Sequence, residues 1–126
     1  MRVNNVYIKK LKAPVYGTSL WIVVSNSLIK SIDTIEDMIN YVVAHPKEKK
    51  RLSAYTYGYE DHDGKWRVII FVTRRAEPGV IAHEANHAKN IILGWNGVKP
   101  SFTNDESESG YLEFIVQQIH NAIKIS

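Results

Sequence analysis

The longest apolar runs in the chain are two five-residue stretches, Leu-Trp-Ile-Val-Val at 20–24 and Val-Ile-Ile-Phe-Val at 68–72. A helix that crosses a bilayer needs about 20 apolar residues, so these runs have the length of strands and no membrane partner is expected. The first residues, Met1-Arg2-Val3-Asn4-Asn5, carry charge, but no apolar stretch or small-residue cleavage site follows them. They do not read as a secretory signal, and a soluble, non-exported protein is expected. Apolar residues make up 44% and charged residues 23% of the 126 positions, which is enough to build one core and excludes bulk disorder. A single domain over 1–126 is expected.

Around these runs the periodicity alternates between that of strands and that of helices. Residues 6–11 and 20–24 read as strands joined through Ala13-Pro14-Val15-Tyr16-Gly17. A helix is predicted over 34–44, because Ile35, Met38, Ile39 and Val42 recur on one face. Thr34 and Asp37 have the spacing of a capping box at its start, and His45-Pro46 would end it. The run Lys47-Glu48-Lys49-Lys50-Arg51 reads as a solvated loop or helix end. Residues 53–59 and 66–73 form a predicted hairpin around Asp61-His62-Asp63-Gly64, where His62 and its acidic neighbours read as turn chemistry ahead of a metal site. Tyr55, Tyr57 and Tyr59 share one face of its first strand and read as packing. Helices over 80–93, with Gly94 just past the end, and over 104–123 complete the chain. Strand pairs joined locally, with helices grouped after them, predict an α+β fold with a short, mostly antiparallel sheet.

The chemistry is concentrated in His83-Glu84-Ala85-Asn86-His87, an H-E-x-x-H sequence inside a predicted helix. Four residues of helix turn the chain by about 400°, so both imidazoles project from one side about one turn apart, the spacing at which two nitrogens reach one Zn²⁺. Glu84, rotated about 100° from His83, has the position of a general base toward a water molecule. The flanking Val80, Ile81, Ala82, Ala85, Ala88, Ile91 and Ile92 are small or apolar, and an unpaired imidazole or carboxylate buried among them would be costly. The chain has no cysteine, so zinc would have to be held by His and carboxylate groups.

A third ligand has to come from elsewhere, because Asn90 and Leu93 occupy the positions at which an extended motif needs Gly and His. The start of the last helix offers Asp105, Glu106 and Glu108. Glu108 shares the face of Leu112 and Ile115 and is the expected ligand, with Asp105 and Glu106 as alternatives. Glu106 also fits a capping box with Thr103. Gly110, beside Glu108, would let this helix come close to the H-E-x-x-H helix. Tyr111 is a possible donor to a tetrahedral oxyanion. Asn86, Asn90 and Asp105 are candidate partners for the imidazole N–H groups, and His120 falls off the core stripe and is expected at the surface.

The Ile-Ala-His-Glu-Ala-x-His-Ala helix, followed by the Asn-Asp-Glu start of a Tyr-Leu-bearing helix, resembles the small H-E-x-x-H proteins encoded by bacteriophages. More distantly it is similar to minimal gluzincin-like zinc peptidases. The resemblance covers residues 68–119. It implies a minimal zincin-like domain whose last strand borders the cleft. It also implies Zn²⁺ held by His83, His87 and an acid of the 105–108 cluster, with Glu84 as base. The compartment implied is the cytoplasm of a bacterial or phage-infected cell, or a virion.

A zinc-dependent hydrolase acting on a protein or peptide is therefore expected, with an extended substrate lying against the strand at 66–73. The competing expectation is a catalytically silent binding or structural module, such as a phage or virion component. A net charge of +3 is too weak to argue for a nucleic-acid partner.

Overall fold

The structure is a computed structural model that describes residues 1–44, 46, 52–98 and 105–126, the last range by backbone alone at 105–107. The expected loop at 47–51, His45, and the cap residues Thr103 and Asn104 lie outside the described residues. The elements run β1 (Arg2–Val3), β2 (Val6–Lys12), β3 (Ser19–Ser25), α1 (Leu28–Ile39), β4 (Ala54–Glu60), β5 (Trp66–Thr73), α2 (Pro78–Trp95) and α3 (Asp105–Ile125). The fold is α+β. Its five strands form one mixed sheet in the order β1-β2-β3-β5-β4.

The two apolar runs lie side by side at the centre. β3 and β5 pair in parallel, from Ser19 with Arg67 to Ser25 with Thr73, whereas the other three pairings are antiparallel. Ile22, Val23, Ile69, Ile70 and Phe71 are all fully buried, so these strands are covered on both faces. A strand buried on both faces cannot alternate apolar with polar, which is why both sequences are continuous apolar runs. Each such side chain contributes roughly 1.5–3 kcal/mol on burial.

Alternation divides the sheet's side chains between two apolar layers. Leu20, Ile22, Val68 and Ile70 pack with Ile81, Ala85, Ile92, Ile115 and Ile119 of α2 and α3. Trp21, Val23, Ile69 and Phe71 pack with Leu28, Ile32 and Ile35 of α1, alongside Tyr55, Tyr57 and Tyr59. The three tyrosines therefore do share a face and serve as packing.

Several boundaries differ from expectation. α1 begins six residues earlier than the predicted helix, because Ser27 caps it, its Oγ accepting from Lys30 N at 3.3 Å. Thr34 is consequently a buried interior residue and not a cap. The helix ends where Asn40 turns left-handed at φ 50°, ahead of the proline. Its buried side is Leu28, Ser31, Ile32, Thr34 and Ile35, whereas Val42 is 80% exposed. At the N-terminus, Asn4 and Asn5 both have positive φ and join β1 to β2 in a two-residue turn. Asparagine tolerates this conformation, and positive φ at both central residues suits the twist of a hairpin. Gly94 lies inside α2, and the left-handed residue beyond the helix is Gly97 at φ 74°.

The close approach expected at Gly110 occurs instead at Gly58. A Cβ on Gly110 would meet no atom of another element within 4 Å among the described residues, whereas one on Gly58 would lie 3.0 Å from Ile91 Cγ2 and from two ring atoms of Trp95. Gly58 thus allows α2 to lie directly on β4. Replacing Gly58 with Val should cost about 1–3 kcal/mol by overpacking this contact. Gly110→Ala should be neutral or stabilising by up to about 1 kcal/mol, because alanine favours a helix interior. Urea unfolding of the two variants checks both signs.

Candidate metal centre

α2 starts at Pro78, whose fixed φ and missing N–H suit the first helical position. It ends where Asn96 donates its backbone N–H to the carbonyls of Ile92 and Leu93. Ile81, Ala85, Ala88 and Ile92 face the sheet. The small alanines and Gly58 bring the helix down onto the edge strand β4. This seating places Glu84 against β4 and leaves His83 and His87 exposed.

The two imidazoles meet edge to face, with centroids 4.5 Å apart and planes at 86°. Their Nε2 atoms are 3.0 Å apart. Two nitrogens bound tetrahedrally to one zinc at about 2.0–2.1 Å would stand about 3.3 Å apart, so the pair already converges to nearly that separation. One ligand atom from each of His83, Glu84 and His87 lies within 4.8 Å of the others. These three groups fit a metal ion.

Glu84 is the one charged residue in the buried set among the described residues, at 9% exposure. A carboxylate in that position requires a donor. It has one in Thr56 of β4, whose Oγ1 lies 2.7 Å from Glu84 Oε2 and 3.1 Å from the Glu84 carbonyl oxygen. The hydroxyl fixes the carboxylate and the helix backbone to the same point of the sheet. Tyr55, the next residue back along β4, also registers this charge. Its phenol is held above the ordinary tyrosine range first by burial, then by Tyr57 and by the negative charge of Glu84.

Thr56 was not legible as a site residue from the motif alone. The usable signal was the alternation itself. If Tyr55, Tyr57 and Tyr59 face one way, Thr56 and Gly58 face the other, toward the helix that follows.

The remaining candidates fall in different places. Glu108 is half-buried in the first turns of α3, and the metal-competent group among the described residues does not include it. Asp105 and Glu106 open α3, and their side chains lie outside the described residues. Asn86, Asn90 and His120 are exposed. His62 sits beside the Tyr41 ring in the β4–β5 turn, where Asp61 Oδ1 accepts from Asp63 N and Lys65 N as turn chemistry requires. Tyr111 is 8% exposed and donates its hydroxyl to the carbonyl of Pro14 at 3.0 Å. It thereby ties α3 to the β2–β3 turn.

Tyr111 generates a pH prediction. Burial, with the neighbouring Tyr16, pushes its phenol up to about 12 from an ordinary 10.0. The unfolded chain loses this proton first, so the stabilisation is complete below the ordinary value. It is lost as pH rises from there toward the folded value. Urea unfolding should therefore show stability falling above pH 10, and Tyr111→Phe should flatten that fall. No family model matches this chain, and no curated protein and no solved structure matches it significantly.

Proposed function

We propose that the protein is a zinc-dependent hydrolase whose substrate is an extended protein or peptide segment. The observation that carries this reading is the convergence of the His83 and His87 Nε2 atoms beside a buried, positioned carboxylate on the same helix. Zinc suits a set of two imidazoles and one carboxylate, and when bound it supplies a Lewis acid that polarises a carbonyl and acidifies water. His83 and His87 hold the ion, with an acid from the start of α3 completing the set: Glu108, or Asp105 or Glu106.

The work of Glu84 follows from its contacts. Thr56 engages Oε2, which leaves Oε1 to take a proton from the attacking water and pass it to the leaving amine. Burial beneath the helix shields this carboxylate from bulk water and fixes its orientation without further reorganisation.

The sheet supports a peptide substrate in a way that corrects the expected docking strand. β5 is flanked by β3 on one side and β4 on the other, so it has no free edge on which to receive an extended chain. β4 is the terminal strand of the sheet and is the strand against which Glu84 rests. A substrate adding to the outer edge of β4 would pair through backbone hydrogen bonds beside the metal pair.

One observation favours a second reading. Glu84 is already bonded to the sheet, so it could be a structural acid under a metal-binding module with no catalytic activity. The two readings separate by substitution. Glu84→Gln should retain zinc, measured by elemental analysis, and lose at least about 100-fold in peptide cleavage if Glu84 is the base. His87→Ala should lose the metal. Cleavage of a peptide library by the zinc-loaded protein, abolished by chelation, supports the hydrolase. Stoichiometric zinc with no cleavage supports the silent module.

A further inference from the structure

The far end of α2 carries a second, chemically different surface. Trp95, eight residues and so about 12 Å of helix beyond His87, stands beside Trp66, the first residue of β5. Their ring centroids are 4.7 Å apart with planes at 50°, so the two indoles form one aromatic surface. Gly58 seats Trp95, since a Cβ there would lie 3.0 Å from its ring. Trp66 keeps 47% of its surface exposed, although Val68 and Ile70, which share its side of β5, are fully buried. An indole held by a neighbouring ring and open on its other side is a preorganised platform for the apolar face of a ligand.

The two rings border a cavity of about 300 Å³ between the β2–β3 and β4–β5 turns, at the lower end of the range of small-molecule sites. Lys12, Ser19, Lys65 and Asn96 also line it, and they bring donors and acceptors together. Lys12 Nζ donates to Ser19 Oγ at 3.0 Å and has two further N–H donors. Asn96 Nδ2 donates to the Ile92 carbonyl at 2.7 Å, so its Oδ1 stays an acceptor. Glu60 adds a carboxylate at the rim, its Oε1 3.6 Å from where a Cβ on the lining residue Gly64 would stand. A carboxylate beside two ammonium groups weakens the field that would hold an anion. A hydroxyl both donates and accepts, and so can use every one of these groups.

We infer that this cavity binds one sugar ring of a glucose-configured glycan, with a C–H face of the ring on Trp66 and its hydroxyl groups on Lys12, Lys65 and Asn96. A pyranose whose hydroxyls are all equatorial has two bare C–H faces and a polar edge, the same division into apolar platform and polar rim that the cavity presents. A purely aromatic ligand would cover the indole but leave the rim unpaired, and polar groups that lose water without gaining a partner weaken binding. The site is separate from His83 and His87 and does not depend on the proposed hydrolase activity.

The test is a titration of isotope-labelled protein with cellotriose and, separately, with chitotriose, followed by NMR through the indole N–H signals of its three tryptophans. Saturable shifts at Trp66 and Trp95 are expected with at least one trimer, while Trp21, in the apolar layer on the other face of the sheet, stays unmoved. Trp66→Ala, which removes an exposed ring, should weaken binding about tenfold, the size of an aromatic contact. Lys12→Met keeps the aliphatic stem but loses the donors and should weaken it about fivefold. Lys30→Gln, on α1, should leave binding unchanged. Sorbitol, which has the hydroxyls without a ring, should give no saturable shift. Absence of saturable shifts with both trimers would overturn the inference. So would equal shifts with sorbitol, or binding that survives Lys12→Met or the folded Trp66→Ala variant unchanged.

Discussion

The parallel pairing of β3 with β5 is the contact on which the rest of the structure depends. It sets two continuous apolar strands side by side, and their alternation creates both apolar layers at once. Side chains pointing one way receive α2 and α3, and those pointing the other way receive α1. β4 then extends the sheet on the β5 side and presents Thr56 and Gly58 to α2. The position of Glu84 is therefore fixed by the sheet more than by its own helix, since the motif sets only the angular relation of three side chains.

The elements were legible where one local rule dominated. The span of β5 and the Asp-Gly turn before it follow from apolar continuity and turn chemistry, and the H-E-x-x-H segment is helical as its pattern requires. Legibility failed where packing moved a boundary that one local signal had marked. Thr34 with Asp37 has the spacing of a capping box, but Ser27 caps α1 and the burial of Leu28 and Ile32 carries the helix upstream of that signal. Gly94 is the expected helix end, but it lies inside α2 and the left-handed backbone is at Gly97. The parallel pairing could not be read at all, because local periodicity gives no information about which distant strand becomes a neighbour. The expected docking strand failed for that reason. A hairpin viewed alone has two free edges, and in the folded sheet β3 takes one of them.

The candidate site divides in a similar way. Convergence of His83 and His87 follows from helical geometry, and the structure brings their nitrogens together. The contact between Glu84 and Thr56 joins residues 28 positions apart and is a product of the packing. It combines an exposed pair of imidazoles with a shielded acid, so the imidazoles remain open to solvent while the carboxylate is held against the sheet. Gly58 contributes to this indirectly, since a side chain there would crowd Ile91 and Trp95 of α2 against the strand that supports the acid.

The central pairing also has a consequence for how the chain reaches this structure. Every residue of β3 meets a partner 48 positions later, from Ser19 with Arg67 onward. The β2–β3 and β4–β5 hairpins close over short turns and can form early. Joining them requires closing the long intervening loop before its contacts yield any return, and such non-local pairing slows folding. Until it closes, two bare five-residue apolar strands stand at the edges of separate hairpins, each able to recruit the same strand of another molecule. The segment that makes the finished core secure is thus also the one most exposed to misassembly while the polypeptide is still folding.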